Sequence, residues 1–183
     1  GLGADSLTGG EDADILVAGE LLADPLSTAE LSALRGGASL DDAVNIDIGD
    51  TVALADDGAA DTLDGGAGAD LLYFGAGDTA TGGSGADGFN VLSGGATEAT
   101  ITDFDSAEDT ITIIIPTAAA GATAPVVTVT DDGADALILL DGTVVARAVA
   151  GAGKVLAADV TVQEEEATAT FDPNPPAVVA VPV

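Results

Sequence analysis

Nine-residue self-similarity is the property of this sequence that most restricts what it can fold into. In the central block aspartates stand at Asp61, Asp70, Asp78 and Asp87, with one residue missing before Asp78, and in the first block at Asp5 and Asp14. A glycine-rich stretch precedes each, and two residues after each comes Leu7, Leu16, Leu63, Leu72, Ala80 or Phe89. The unit is G-G-x-G-x-D-x-U-x, with U apolar. Glycines permit the dihedral angles of tight turns and leave backbone carbonyls free to point at an ion, while the aspartate supplies a charged oxygen. The x-U-x segment is then a very short strand with one side chain facing inward. Two such half-turns complete one coil of a parallel β-solenoid whose thin core is the column of U residues. A flexible Gly/Asp linker would need neither the period nor the apolar position.

Charge says what the pattern must be paired with. The 183 residues carry 32 Asp plus Glu against 3 Lys plus Arg, a formal net charge of −29, so nucleic acid and anionic membranes are poor partners and hard cations good ones. Clustered carboxylates in a glycine-rich backbone oppose folding, and something outside the sequence must supply the missing stability. Cysteine is absent, so no disulfide or thiolate site can staple the chain; bound metal is the obvious substitute. Histidine is also absent, which removes the usual general base, the serine-triad partner and the zinc-protease motif. No catalytic residue is assigned. The core must be built from Ala, Val, Leu and Ile, since 47% of residues are hydrophobic but only 3% aromatic. No apolar run approaches the length of a membrane span. Gly1 stands first and "GLGADSLTGG" opens inside a repeat, which suggests a processed or excised piece.

"GGAGADLLY" and "GGSGADGFN" fit the unit at every defining position; "GEDADILV" fits with Asp12 in a glycine position, "FGAGDTAT" is one residue short, and "DDGAADTLD" has lost its glycine pair. The pattern resembles the nonapeptide repeat of the RTX, or hemolysin-type calcium-binding, proteins. The resemblance implies an all-β fold, a parallel β-roll carrying several Ca²⁺ ions, each held between repeat n and repeat n+2. It pairs Asp61 with Asp78 and Asp70 with Asp87, aided by carbonyls of the turns containing Gly66, Gly68, Gly75, Gly77, Gly83 and Gly85. Asp5 and Asp14 start the same two rows, and Asp12 joins them. It further implies type I export from a bacterium and an extracellular or cell-surface location.

The remaining segments read as additions to this roll, which spans residues 1–95. Residues 18–46 break the period; Ser27 as N-cap, Glu30, the apolar Leu31 and Leu34, then Arg35 and Gly36 predict a short helical insertion. "NIDIGDTVALADDG" restores the pattern imperfectly, with Asp47 and Asp50 as candidate ligands or solvated turn carboxylates. "ATITDFDSAEDTITIII" is similar to the segment that closes an RTX roll, with Asp103, Phe104, Asp105 and Asp109 at matching places; an ordinary hairpin with an acidic turn accounts for it as well. Residues 96–163 then form a β-rich cap, with strands near 126–130, 135–140 and 143–149 turning at Asp132-Gly133 and Asp141-Gly142. The tail, 164–183, is acidic and proline-interrupted; it suits a secretion signal or strand addition to a neighbouring subunit.

Two functional classes follow. The first is a non-catalytic extracellular module that folds on Ca²⁺, with self-assembly into a filament, surface layer or matrix through the tail as its sharper form. The second is the C-terminal calcium module of a larger secreted enzyme or toxin. Use of a flat outer face for ligand binding would require rows of outward threonines, and the positions flanking U show no such row along the sequence.

Overall fold

A computed structural model describes residues 3–22, 53–116 and 123–165, which are mostly strand with almost no helix. The strands are β1 (Ser6–Glu11), β2 (Ile15–Val17), β3 (Glu20–Leu22), β4 (Ala53–Ala55), β5 (Thr62–Ala67), β6 (Leu71–Phe74) and β7 (Thr79–Ser84). They continue with β8 (Gly88–Leu92), β9 (Ala99–Ile101), β10 (Thr110–Pro116), β11 (Val127–Asp132), β12 (Asp135–Leu140), β13 (Thr143–Ala148) and β14 (Val160–Glu165). The one helical element among the described residues is a 3-10 turn at Ala157–Asp159. The helix expected near residues 27–35, Asp47, Asp50 and the tail beyond Glu165 lie outside the described residues. One compact unit, Gly1–Glu20 with Leu54–Glu166, contains nearly everything described; Leu21–Ala53 with Ala167–Val183 form a second.

Strands that alternate along the chain fall into two different sheets. The first has the order β1-β5-β7-β9-β13-β12-β11 and the second β14-β10-β8-β6-β2. From β1 through β9 in the first sheet, and throughout the second, neighbours are parallel. From β5 to β8 each strand is therefore followed by a turn into the other sheet and pairs with the strand two ahead of it, while β1 and β2 pair with β5 and β6. The nine-residue unit enforces this: its short strand can bury only one or two side chains, and only stacking the next copy beside it gives the backbone partners.

Register places the U residues in line. Leu7, Leu63, Ala80 and Ile101 occupy one column of the first sheet. Leu16, Leu72, Phe89, Ile111 and Val160 occupy a column of the second. All but the partly buried Leu7 are within the core. The apolar thickness the aliphatic residues lack comes from three aromatic rings: Phe89 meets Phe74 at 6.4 Å between centroids, nearly perpendicular, and Phe104 at the same distance on its other side.

After β9 the strands do not cross the end of the stack. β13 adds parallel to β9, and β12 and β11 continue the same sheet antiparallel, turning where the Asp-Gly pairs stand. Arg147 fastens this junction, its guanidinium bonding Glu98 at 2.7 Å, Asp132 at 3.0 Å and Asp135 at 3.1 Å. The sequence reading ends the cap at residue 163 and begins the acidic tail at 164. In the structure Val160–Glu165 is instead a strand, parallel to β10 and the outermost member of the second sheet.

Register also corrects the reading of the outer face. Ser6, Thr62, Thr79 and Thr100 align across four strands of the first sheet. Beside them run Thr8, Asp64 and Thr81, with Thr102 bonded to Thr81 through their hydroxyls at 2.8 Å. Unequal sequence spacings between successive members hide these columns in the linear sequence.

Candidate metal centre

Two rows of turns join the sheets. Forward turns lead from the first sheet to the second through Gly9–Asp14, Gly65–Asp70, Gly82–Asp87 and Asp103–Asp109. Return turns lead back through Gly75–Asp78 and Ser93–Glu98, and Asp56–Asp61 leads into β5 from β4, which pairs with β3 in a separate two-stranded sheet. The repeat aspartates stand at the ends of these turns and connect one coil to the next.

The pairings inferred from the repeat are present as hydrogen bonds. In the forward row the N–H of Asp14 donates to Asp70 Oδ1 at 2.7 Å, that of Asp70 to Asp87 Oδ1 at 2.9 Å, and that of Asp87 to Asp109 Oδ1 at 3.0 Å. In the return row the N–H of Asp5 donates to Asp61 Oδ1 at 2.6 Å and that of Asp61 to Asp78 Oδ1 at 2.8 Å. The same junctions are bonded a second time, because the carbonyl of each donor aspartate accepts the N–H following its partner; Asp70 O, for example, accepts Gly88 N–H at 2.7 Å. A hydrogen bond to a charged acceptor is worth roughly 1.5–3 kcal/mol, so these ladders contribute to cohesion along both rows.

The closing segment ends the forward row. Asp109 engages both oxygens, the second with Asp105 N–H at 2.8 Å, and Asp103 takes the N–H groups of Gly82 and Gly83 on its two oxygens at 2.9 and 2.8 Å. Asp105 itself accepts Ala107 N–H at 2.9 Å, an acidic turn of the kind either sequence reading requires.

The glycines divide their work. A side chain on the first glycine of each forward turn has no room. A Cβ on Gly65 would lie 2.5 Å from the Gly82 carbonyl oxygen and 2.6 Å from Asp70 Oδ2. On Gly9 it would lie 2.5 Å from Gly65 O and 2.6 Å from Asp14 Oδ2. The second glycine is needed for conformation: Gly66 and Gly83 both have φ of 101°, and each sits against the carbonyl of its counterpart one coil earlier. Gly68 and Gly85 repeat this at the next site, stacking on Asp12 and Gly68 respectively, while Gly75 and Gly77 shape the return turn. Asp12 thus occupies a glycine position with φ of 73° and an exposed side chain. Its replacement by glycine is expected to stabilise the fold by about 0.5 kcal/mol, the relieved backbone strain exceeding the added freedom of the unfolded chain. Urea denaturation at saturating calcium checks this.

Burial makes the carboxylates electrostatically demanding. Asp61, Asp70, Asp78 and Asp87 are each no more than 2% exposed, in a chain of net charge −29. Burial holds the carboxyls of Asp78, Asp87 and Asp109 above their ordinary range, against the N–H groups that bond them. Among the described residues, no three acidic side chains converge as a cluster that could hold a metal. A cation there would draw on backbone carbonyls as well as carboxylates. A specific shortage of donors meets that requirement: Asp14 Oδ2 and Asp70 Oδ2 are buried with no hydrogen-bond partner, beside the carbonyl oxygens of Gly65 and Gly82. Buried carboxylate oxygens without a donor, next to backbone carbonyls, suit an oxygen-seeking cation.

Sequence reasoning missed two carboxylates. Asp56 accepts the N–H of Ala76 at 3.1 Å and Gly58 at 3.0 Å, and Asp57 those of Gly3 at 2.7 Å and Ala59 at 2.8 Å. Bonds from Ala59 and Gly3 hold the Asp57 carboxyl below its ordinary range. Their signal was the Asp-Asp-Gly that replaces the glycine pair in the eroded repeat. No described helix is long and apolar enough to cross a membrane. No family model and no curated protein matches the sequence.

Proposed function

We propose that this chain is a non-catalytic, calcium-binding structural module, a β-roll of the hemolysin type whose folding is coupled to Ca²⁺ and which works outside the cell. The observation that carries the reading is the pair of partnerless buried oxygens, Asp14 Oδ2 and Asp70 Oδ2, each beside a carbonyl of the following coil. Water could donate to such a site, but a hard divalent cation also offsets the negative charge that accumulates along the stacked turns. The role of the protein is positional. The first glycine of each turn leaves space, the second sets the backbone angle, and the ladders hold successive carboxylates at the separation between strands.

Ca²⁺ supplies the charge compensation when bound; the aspartates, already ordered by backbone donors, present one carboxylate per coil in each row. Affinity in the range of extracellular modules, roughly 10⁻⁴–10⁻³ M, would leave the chain expanded at cytosolic calcium and folded outside. Chelation of the full chain is expected to abolish the β-sheet circular dichroism, and added Ca²⁺ to restore it. A spectrum indifferent to chelator and calcium alike would overturn the proposal.

A further inference from the structure

The two rows of turns are not equivalent, although repetition of one sequence unit would make them so. Both partnerless oxygens belong to the forward row. In the return row Asp78 has neither oxygen to spare: Oδ1 accepts Asp61 N–H at 2.8 Å and Oδ2 accepts Gly75 N–H at 2.7 Å.

The cause is the missing residue before Asp78. In a full-length turn the carboxylate reaches back five positions and lies over the first glycine, as Asp70 lies over Gly65. In the shortened turn the N–H three positions back comes within reach, and the carboxylate caps its own turn. Asp56 completes the substitution by taking the next N–H, of Ala76, at 3.1 Å. Backbone donors here occupy the carboxylate lone pairs that a cation would need.

At the far end of the forward row the surroundings change again. A Cβ on Gly82 would meet Asp87 Oδ2 and the Phe89 ring, with no carbonyl of a following coil among its nearest atoms, and Asp103 takes the Gly82 and Gly83 N–H groups. Asp109 is doubly bonded. The gaps with a free carboxylate oxygen opposite a carbonyl are those at Asp14 and Asp70.

We infer that cation binding in the described part of the chain is confined to the forward row, one ion at Asp14 beside Gly65 O and one at Asp70 beside Gly82 O, and that the shortened return turn at Asp78 closes on its own N–H groups without metal. The inference rests on the calcium reading above and narrows it. A roll of this kind carries metal along one side only, and its return side is held by hydrogen bonds that chelation does not remove directly.

Native mass spectrometry of the full chain at saturating Ca²⁺ tests it by counting ions. Asp14→Asn and Asp70→Asn are each expected to bind one ion fewer than wild type, and Asp78→Asn the same number. Because an asparagine variant could fail to fold, anomalous scattering from crystals of the wild-type calcium complex provides a second readout, with peaks expected beside Asp14 and Asp70 and none beside Asp78. Peaks in both rows, or loss of an ion from Asp78→Asn, would overturn one-sided occupancy while leaving the calcium reading intact. Wild-type protein that binds no ion would overturn both.

Discussion

Replacing Phe89 by alanine is expected to destabilise the calcium-loaded fold by about 3–5 kcal/mol, the usual range for losing a buried aromatic ring. Phe89 is fully buried and the middle member of the ring series from Phe74 to Phe104, so its removal breaks both edge-to-face contacts at once. Its ring also spans the space between the sheets: the position a Cβ on Gly82 would take lies only 2.9 Å from Phe89 Cζ. Protein interiors are close-packed, so the side chains around Phe89 relax only partly into the cavity. A domain of ordinary stability has only about 5–15 kcal/mol in total, so the calcium concentration needed to fold the variant should rise sharply. Ile15→Ala in β2, at a position 42% exposed, is the control and should change stability by less than about 1 kcal/mol. Both are measured by urea denaturation at fixed calcium; equal midpoints for the two variants would reject this account of the core.

Much of this architecture can be read in the sequence because the repeat acts through local geometry. A turn that needs glycine twice and an aspartate at its end leaves a visible period, and the 17-residue spacing from Asp61 to Asp78 and from Asp70 to Asp87 is one coil, which the hydrogen bonds confirm as neighbours. The closing segment is legible for the same reason: Phe104 packs on Phe89 while Asp103 and Asp109 engage the preceding coil. What is hidden depends on register across insertions. Ser6 and Thr62 are neighbours across a 56-residue gap, so the outward hydroxyl columns cannot be seen without the pairing. The tail reads as starting at 164 because Glu164 and Glu165 disguise the end of a strand whose Val160 and Val162 pair with Ile111 and Ile113.

The missing residue before Asp78 shows how a flaw in the period carries structural meaning. In the sequence it is a gap in an alignment of repeats. In the fold it moves a carboxylate oxygen from an open gap onto the Gly75 N–H, and with it the balance between cation and backbone donor. The first glycine of each pair is similarly ambiguous in the sequence alone. Gly65 has an ordinary backbone angle, and what excludes a side chain there is the Asp70 carboxylate with the Gly82 carbonyl.

Acid should partly replace calcium. Burial raises the carboxyls of Asp78, Asp87 and Asp109, so the metal-free folded state binds protons more tightly than the unfolded chain. Stability must then increase as pH falls through those raised values toward the ordinary value of 3.8, and it is lost again as pH rises. Reduced repulsion within a chain of net charge −29 acts in the same direction. Below the ordinary value the sign reverses, because Asp57 and Asp135, lowered chiefly by backbone N–H groups of Ala59 and Ala150, must then be protonated and their bonds lost. The metal-free chain is therefore expected to be most stable in mild acid, near pH 4. With calcium the trend inverts over the same interval, since protons compete with the cation for carboxylate oxygens. With chelator, far-UV circular dichroism should regain β-sheet signal as pH falls from 7 toward 4, whereas urea denaturation at saturating calcium should show stability falling over the same interval. A chelated chain that regains no β-sheet signal between pH 7 and pH 4 would show that the buried carboxylates do not oppose folding, and with that the physical reason for a cation would be gone.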